Sequence, residues 1–261
     1  MALTDEESPF YVGGGFYVIK AMLQASARIA EAFQKGGGML WGEHDPELFL
    51  GTERFFRPGY AAHLVGEWIP ALSGREAKLK AGGKVADVGC GHGASTILMA
   101  QAYPNSRFHG FDSHEPSIQH ARRAAVEAGV GDRVTFEVAD SSSFPGDRYD
   151  MIAFFDCLHD MGNPVGAAQR ACQTLAADGS VLIVEPMAGN CVEENFNPLG
   201  RTFSAASTLC CTPNSLAVKG PGLGAVATEQ ALRDTVMAGG LRHFQRVAET
   251  PFNRIFEARQ R

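Results

Sequence analysis

The sequence predicts an α/β fold: a Rossmann-like sheet ending in an antiparallel C-terminal strand, preceded by a helical region. Three observations predict it. The apolar run Val85-Ala86-Asp87-Val88 enters a turn of alternating glycines, Gly89, Gly91 and Gly93, and then a helical pattern, as in the first crossover of a doubly wound sheet. Four more strand-length apolar runs follow, each ending in a polar or acidic tip. The last two strand-like runs, 241–248 and 253–259, are joined by Glu249-Thr250-Pro251-Phe252 alone. So short a link favours an antiparallel hairpin, since a parallel crossover needs a dozen or more residues.

The elements follow in order. Residues 16–35 place Phe16, Ile19, Leu23, Ile29 and Phe33 at helical spacing, and Gly36-Gly37-Gly38 ends that helix. Residues 45–72 suggest one or two further helices, with Asp45 as cap and Pro46 in the first turn. Aromatic residues concentrate in this N-terminal third, as helix packing or as a wall over an apolar substrate. After the glycine turn, Ala94 to Ala102 forms a helix that Pro104 stops. The second strand, 107–111, ends at Asp112, and a helix runs from Pro116 to Ala128 with Gly129 beyond it. Strand three, 133–139, ends in Asp140-Ser141-Ser142-Ser143; strand four, 149–155, runs into Asp156-Cys157-Leu158-His159-Asp160; strand five, 180–186, carries Glu185 near its tip. Residues 187–224, rich in Asn, Pro and Gly, break the strand–helix rhythm and read as a lid above the crevice. A last helix starts at Thr228 and ends at Gly239-Gly240. The expected division is a helical cap or oligomerisation region over residues 1–80 and a ligand-binding domain over 81–261.

Composition narrows the function. The chain has 261 residues, 45% of them hydrophobic, enough to bury a full core. Its 23 basic and 29 acidic residues give a net charge of −6, with no long basic run, which argues against nucleic acid as the main partner. No apolar run approaches a membrane span and the start is not a signal peptide, so neither membrane nor export is expected. The six cysteines, at 90, 157, 172, 191, 210 and 211, show no framework spacing, which fits reduced thiols and a cytoplasmic location.

The ordered strand tips resemble those of class I S-adenosylmethionine-dependent methyltransferases over roughly residues 81–261. That resemblance implies a seven-stranded sheet with a reversed last strand. It implies that the Asp87, Gly89, Gly91, Gly93 turn wraps the methionine part of the cofactor. Asp112 would hold the ribose hydroxyls and Asp140, with Ser141 beside it, the adenine; Asp156 also falls among the expected cofactor contacts. Gly89, Gly91 and Ala94 satisfy the looser dinucleotide pattern G-x-G-x-x-A as well, so NAD stays an alternative that the C-terminal hairpin argues against.

Methyl transfer from a sulfonium needs a positioned nucleophile and, for a hydroxyl, a base. His159 supplies an imidazole at the end of strand four, and Glu185 on the neighbouring strand is placed to orient it. Asp160 is a cap or a supporting group. The stretch Cys157-Leu158-His159-Asp160-Met161 is similar to the L-H-D-W segment of plant-type small-molecule O-methyltransferases, including caffeate and acetylserotonin enzymes, and to a bacterial group bearing a winged-helix N-terminal domain. The resemblance implies that His159 is the base and Glu185 its orienting carboxylate. This chain departs from the pattern in three places. Met161 replaces the Trp, Gly224-Ala225-Val226-Ala227-Thr228 replaces a second orienting Glu, and the mostly helical N-terminal region leaves no room for a full winged helix. The expected reaction is methylation of a small apolar or aromatic molecule, at oxygen in the first instance, by a chain that could form a homodimer. N- or C-methylation by positioning alone, and a cofactor-binding regulator without activity, are the alternatives. A Mg²⁺ site at Asp156, Asp160 and Asn163 and a zinc site at Cys191, Cys210 and Cys211 lack a convergent ligand pattern.

Overall fold

The computed structural model describes residues 2–261. Seven strands form one sheet in the order β3-β2-β1-β4-β5-β7-β6. They are β1 (Lys84–Val88), β2 (Arg107–Asp112), β3 (Val134–Val138), β4 (Tyr149–Phe155), β5 (Leu175–Pro186), β6 (His243–Glu249) and β7 (Asn253–Arg259). The first five pair in parallel, and β7 runs antiparallel to both β5 and β6. The three residues between β6 and β7 permit only that reversal. Connections leave β1 and β4 in opposite directions, so the crevice between their carboxyl ends is the topological switch point where such sheets bind ligands.

The central strands β1 and β4 and residues 180–186 of β5 are largely apolar and buried because both faces are covered. Alternate residues serve alternate cores. Met151, Ala153 and Phe155 of β4 and Leu182 and Val184 of β5 pack on one side with Tyr60, Leu64 and Trp68. Ile152 and Phe154, with Val181 and Ile183, pack on the other beside Ala167, Leu232 and Phe256.

Among the described residues, ten α-helices surround the sheet: α1 (Gly14–Lys35), α2 (Glu47–His63), α3 (Ile69–Ala71), α4 (Arg75–Ala81), α5 (Ala94–Ala102), α6 (Glu115–Glu127), α7 (Pro164–Thr174), α8 (Pro198–Ala206), α9 (Thr212–Ala217) and α10 (Glu229–Ala238). A π-helical turn, Leu64–Trp68, joins α2 to α3, so the region expected as one or two helices is a nearly continuous rod. Asp45 caps it as expected, its side chain accepting from the Glu47 amide at 2.9 Å.

Two expectations are corrected. Of the apolar spacing read in α1, Ile29 is buried, but Phe16, Ile19, Leu23 and Phe33 are exposed, and Ala21, Met22 and Ala25 complete the packed face. α1 lies close against α2, where a Cβ on Gly51 would come within 2.7 Å of Tyr17 Cβ. The segment 187–224 is largely helical as well. Asn197 caps α8, its side chain accepting from the Gly200 amide at 2.8 Å, and a second π-helical turn, Ser207–Cys211, joins α8 to α9.

The sheet beside the glycine turn tolerates no added volume. An alanine Cβ at Gly110 in β2 would lie 2.3 Å from the Phe136 ring and 3.0 Å from Cys90 Sγ. Gly110→Ala is expected to cost about 1–3 kcal/mol and several degrees of Tm, as overpacking does. Thermal unfolding measures this, and adding Phe136→Val should recover part of the loss.

Candidate active site

The glycine turn after β1 opens a cavity of about 490 Å³ at the switch point. Gly89, Gly91 and Gly93 have φ of +77°, +51° and +82°, a region that disfavours side chains. At Gly89 a Cβ would also meet Cys157 Sγ at 2.7 Å. Gly89 and Gly91 line the cavity, as do Asp112, Asp140, Ser141 and Asp156; Asp87 and Gly93 lie behind its wall. Asp87 Oδ2 accepts hydrogen bonds of 2.6 Å from both Ser95 and Thr96, which fastens β1 to the first turn of α5. Burial pushes its carboxyl up to about 6, against the pull of those two hydroxyls. Its Oδ1 is buried without a partner. Asp112 holds the turn from the side, Oδ2 accepting from the Gly91 amide at 2.9 Å and Oδ1 from the His114 amide at 2.8 Å. Asp140 sits at the exposed rim and accepts from the Ser142 amide at 2.8 Å and from the Ser142 hydroxyl at 2.5 Å.

Asp156 stands at the end of β4 with φ of +50°, a strained setting for a residue other than glycine. The Tyr60 hydroxyl donates to its Oδ2 at 2.7 Å and the Asn253 amide to its Oδ1 at 2.8 Å. Burial raises the carboxyl to about 8; the Tyr60 and Asn253 bonds oppose the rise and the nearby Glu185 adds to it. Asp160 also lines the cavity, and burial lifts it to about 7.

His159 and Glu185 meet as their strand positions suggest. His159 Nδ1 lies 2.7 Å from Glu185 Oε2, with the two side chains 3% and 0% exposed. Burial works to lower the imidazole's pKa, but the Glu185 carboxylate outweighs it and holds it well above the usual 6.5. The Cys211 thiol lies against the same ring, brought there by the π turn that ends at Cys211. His159 is not among the residues lining the cavity. Cys157, Asp160 and Met161 form the wall in front of it.

The two metal sets considered from sequence do not assemble. Both Asp156 oxygens are engaged, and Asn163 Oδ1 caps α7 by accepting from the Gly166 amide at 2.9 Å. Among the described residues, no ligand group includes Cys191 or Cys210.

Of the aromatic residues concentrated in the N-terminal third, Phe49, Phe56 and Tyr60 of α2 line the cavity, with Trp41 just before them; Glu53, on the same helix face, escaped the sequence reading. The 49-53-56-60 spacing was the available signal, since it puts all four on one helix face. Asn253 and Cys211 carried no signal. His92, His114 and His120 are half-buried around the turn; His114 Nδ1 lies 2.8 Å from Ser117 Oγ.

Residues 79–230 match the family model described as a methyltransferase domain. The chain belongs to that family. The 27-O-demethylrifamycin SV methyltransferase of Amycolatopsis mediterranei is 31% identical over 107 residues, which is 40% of this chain and 39% of that one. This chain thus spans well under two thirds of that relative. Among solved structures, the mitomycin 7-O-methyltransferase superposes with a TM-score of 0.69 at 16% identity, covering 99% of this chain and 74% of the other. An O-methyltransferase family protein from Burkholderia thailandensis gives 0.70 at 16% identity, covering 96% and 72%. Both share the fold.

S-adenosylmethionine is the cofactor of this methyltransferase, and the cavity's chemistry fits it. The glycine turn admits close backbone approach, and Asp112, which lines the cavity, offers carboxylate acceptors for a ribose diol.

The raised Asp156 carboxyl has a stability consequence. An acid whose folded pKa is about 8, against 3.8 ordinarily, disfavours the folded state increasingly as pH climbs between those values. Asp156→Asn removes that share. Tm measured from pH 5 to 9 should therefore fall less steeply for Asp156→Asn than for the wild type.

Proposed function

We propose that this methyltransferase methylates a small apolar or aromatic molecule at a hydroxyl, with His159 as general base and Glu185 as the group that orients it. The 2.7 Å bond between His159 Nδ1 and Glu185 Oε2, at the carboxyl ends of adjacent strands beside the glycine-turn cavity, carries the reading. S-adenosylmethionine, when bound, supplies an activated methyl group on sulfur. Gly89, Gly91 and Asp112 would hold its polar portions, with Asp140 and Ser141 at the adenine end and Asp87 and Gly93 fixing the turn from behind.

Glu185 keeps the proton on Nδ1, which leaves Nε2 to accept the proton of the acceptor hydroxyl. To reach Nε2, the acceptor must displace the Cys211 thiol from the ring. Residues 187–224 would act as the moving part, since their Asn214 and Val218 already line the cavity. The aromatic wall of α2 suits an apolar acceptor: Phe56 stacks on Tyr60, and Trp41 lies against Phe49. The rifamycin and mitomycin enzymes act on small natural products, which supports a substrate of that size class.

A second reading follows from one observation. Asp160 and Asp156 reach the cavity and His159 does not, which favours transfer to nitrogen or carbon by positioning alone.

Turnover of the variants separates the two. His159→Ala should lower kcat by roughly two to four orders of magnitude and leave S-adenosylhomocysteine affinity unchanged; near-full activity would favour positioning. With the base reading, activity rises with pH as the imidazole loses its proton. Glu185→Gln removes the charge that holds the pKa up, so the acid limb of the pH–rate profile should move to lower pH while the maximum falls. Calorimetry with S-adenosylhomocysteine, with NAD as control, should show binding of the former alone, weakened in Asp112→Ala.

A further inference from the structure

Glu53, His92 and His120 converge at the cavity wall from three separate elements, and the methyltransferase reading uses none of them. Glu53 lies on α2, His92 in the glycine turn and His120 on α6. Glu53 Oε2 is 2.8 Å from His92 Nδ1 and 3.5 Å from His120 Nε2. The two imidazole rings stack with centroids 4.0 Å apart and planes 18° from parallel. One donor atom from each of the three residues lies within 4.8 Å of the others. The side chains are 19%, 11% and 37% exposed, so the cluster is sheltered but open to an ion from solvent.

One carboxylate hydrogen-bonded to one histidine would be an ordinary local contact. A second imidazole, stacked on the first and aimed at the same oxygen, is not needed for that contact. A neutral imidazole presents one lone pair from its two ring nitrogens. A first-row dication binds imidazole nitrogen and carboxylate oxygen at about 2.0–2.2 Å, which spaces neighbouring donors roughly 3–3.5 Å apart. The two measured separations from Glu53 fall at or near that spacing. Two nitrogens and one oxygen suit zinc, cobalt or nickel, whereas magnesium and calcium prefer all-oxygen sets.

We propose that Glu53, His92 and His120 form a binding site for a first-row transition dication such as Zn²⁺. The ion ties α2 to the glycine turn and to α6. It would thereby brace the wall that carries Phe49, Phe56 and Tyr60 against the turn.

The test uses the full chain freed of metal by chelation, at pH 7.5 and without cofactor, so its outcome does not depend on the methylation reading. Calorimetric titration with ZnCl₂, and with CoCl₂ followed by visible absorption, should show one ion per chain and a rise in Tm on loading. His92→Ala and His120→Gln should each weaken binding by at least about tenfold, since even supporting residues of metal sites cost that much. His120→Gln at the partly exposed end of the cluster keeps the fold. Cys211→Ser, in the cluster with His159 and Asp160, should bind as the wild type does. No binding at submillimolar zinc, wild-type affinity in either histidine variant, or loss of binding in Cys211→Ser would each overturn the proposal.

Discussion

Four acids, Asp87, Asp112, Asp156 and Glu185, stand at the ends of four neighbouring strands, buried or partly buried where their charged forms are costly. Holding that much like charge is the constraint on which the architecture rests. Each acid has partners on another element. Asp87 takes two hydroxyls from α5, Asp112 takes amides from the glycine turn and the approach to α6, Asp156 takes Tyr60 from α2 and Asn253 from β7, and Glu185 takes His159. The contacts that make the charges tolerable are thus the contacts that place the helices and the cavity wall. Where the partners fall short, the carboxyl holds its proton more tightly, as at Asp87 and Asp156.

Much of the sheet was legible because parallel strands buried on both faces leave long apolar runs with abrupt polar ends. The direction of β7 was legible from the length of one link. The helices within 187–224 were not, because the same residues that punctuate loops also start helices: Asn197-Pro198 is a cap and first turn, and Pro213 sits in the first turn of α9. The split face of α1 was hidden as well, since helical spacing reports an apolar stripe without saying which neighbour takes it.

The candidate site divides in the same way. His159 and Glu185 lie at the tips of adjacent strands, so knowing the strand order brings them together. Tyr60 and Asp156 are 96 residues apart, and only the docking of α2 on the sheet joins them. Cys211 depends on a π turn, whose extra residue rotates everything after it; no sequence pattern here announces that turn.

The short connection from β6 to β7 bears on how this chain can diverge. Asn253 and Arg254 are consecutive, and their side chains leave opposite faces of β7. One clamps Asp156, and the other, fully buried, donates to the carbonyls of Pro186 and Ala227. A single-residue insertion between Glu249 and Asn253 would exchange those faces and break both attachments at once. Indels should therefore be excluded from that hairpin among descendants of this sequence, while the exposed stretch 190–194 is the kind of surface segment that tolerates changes of length.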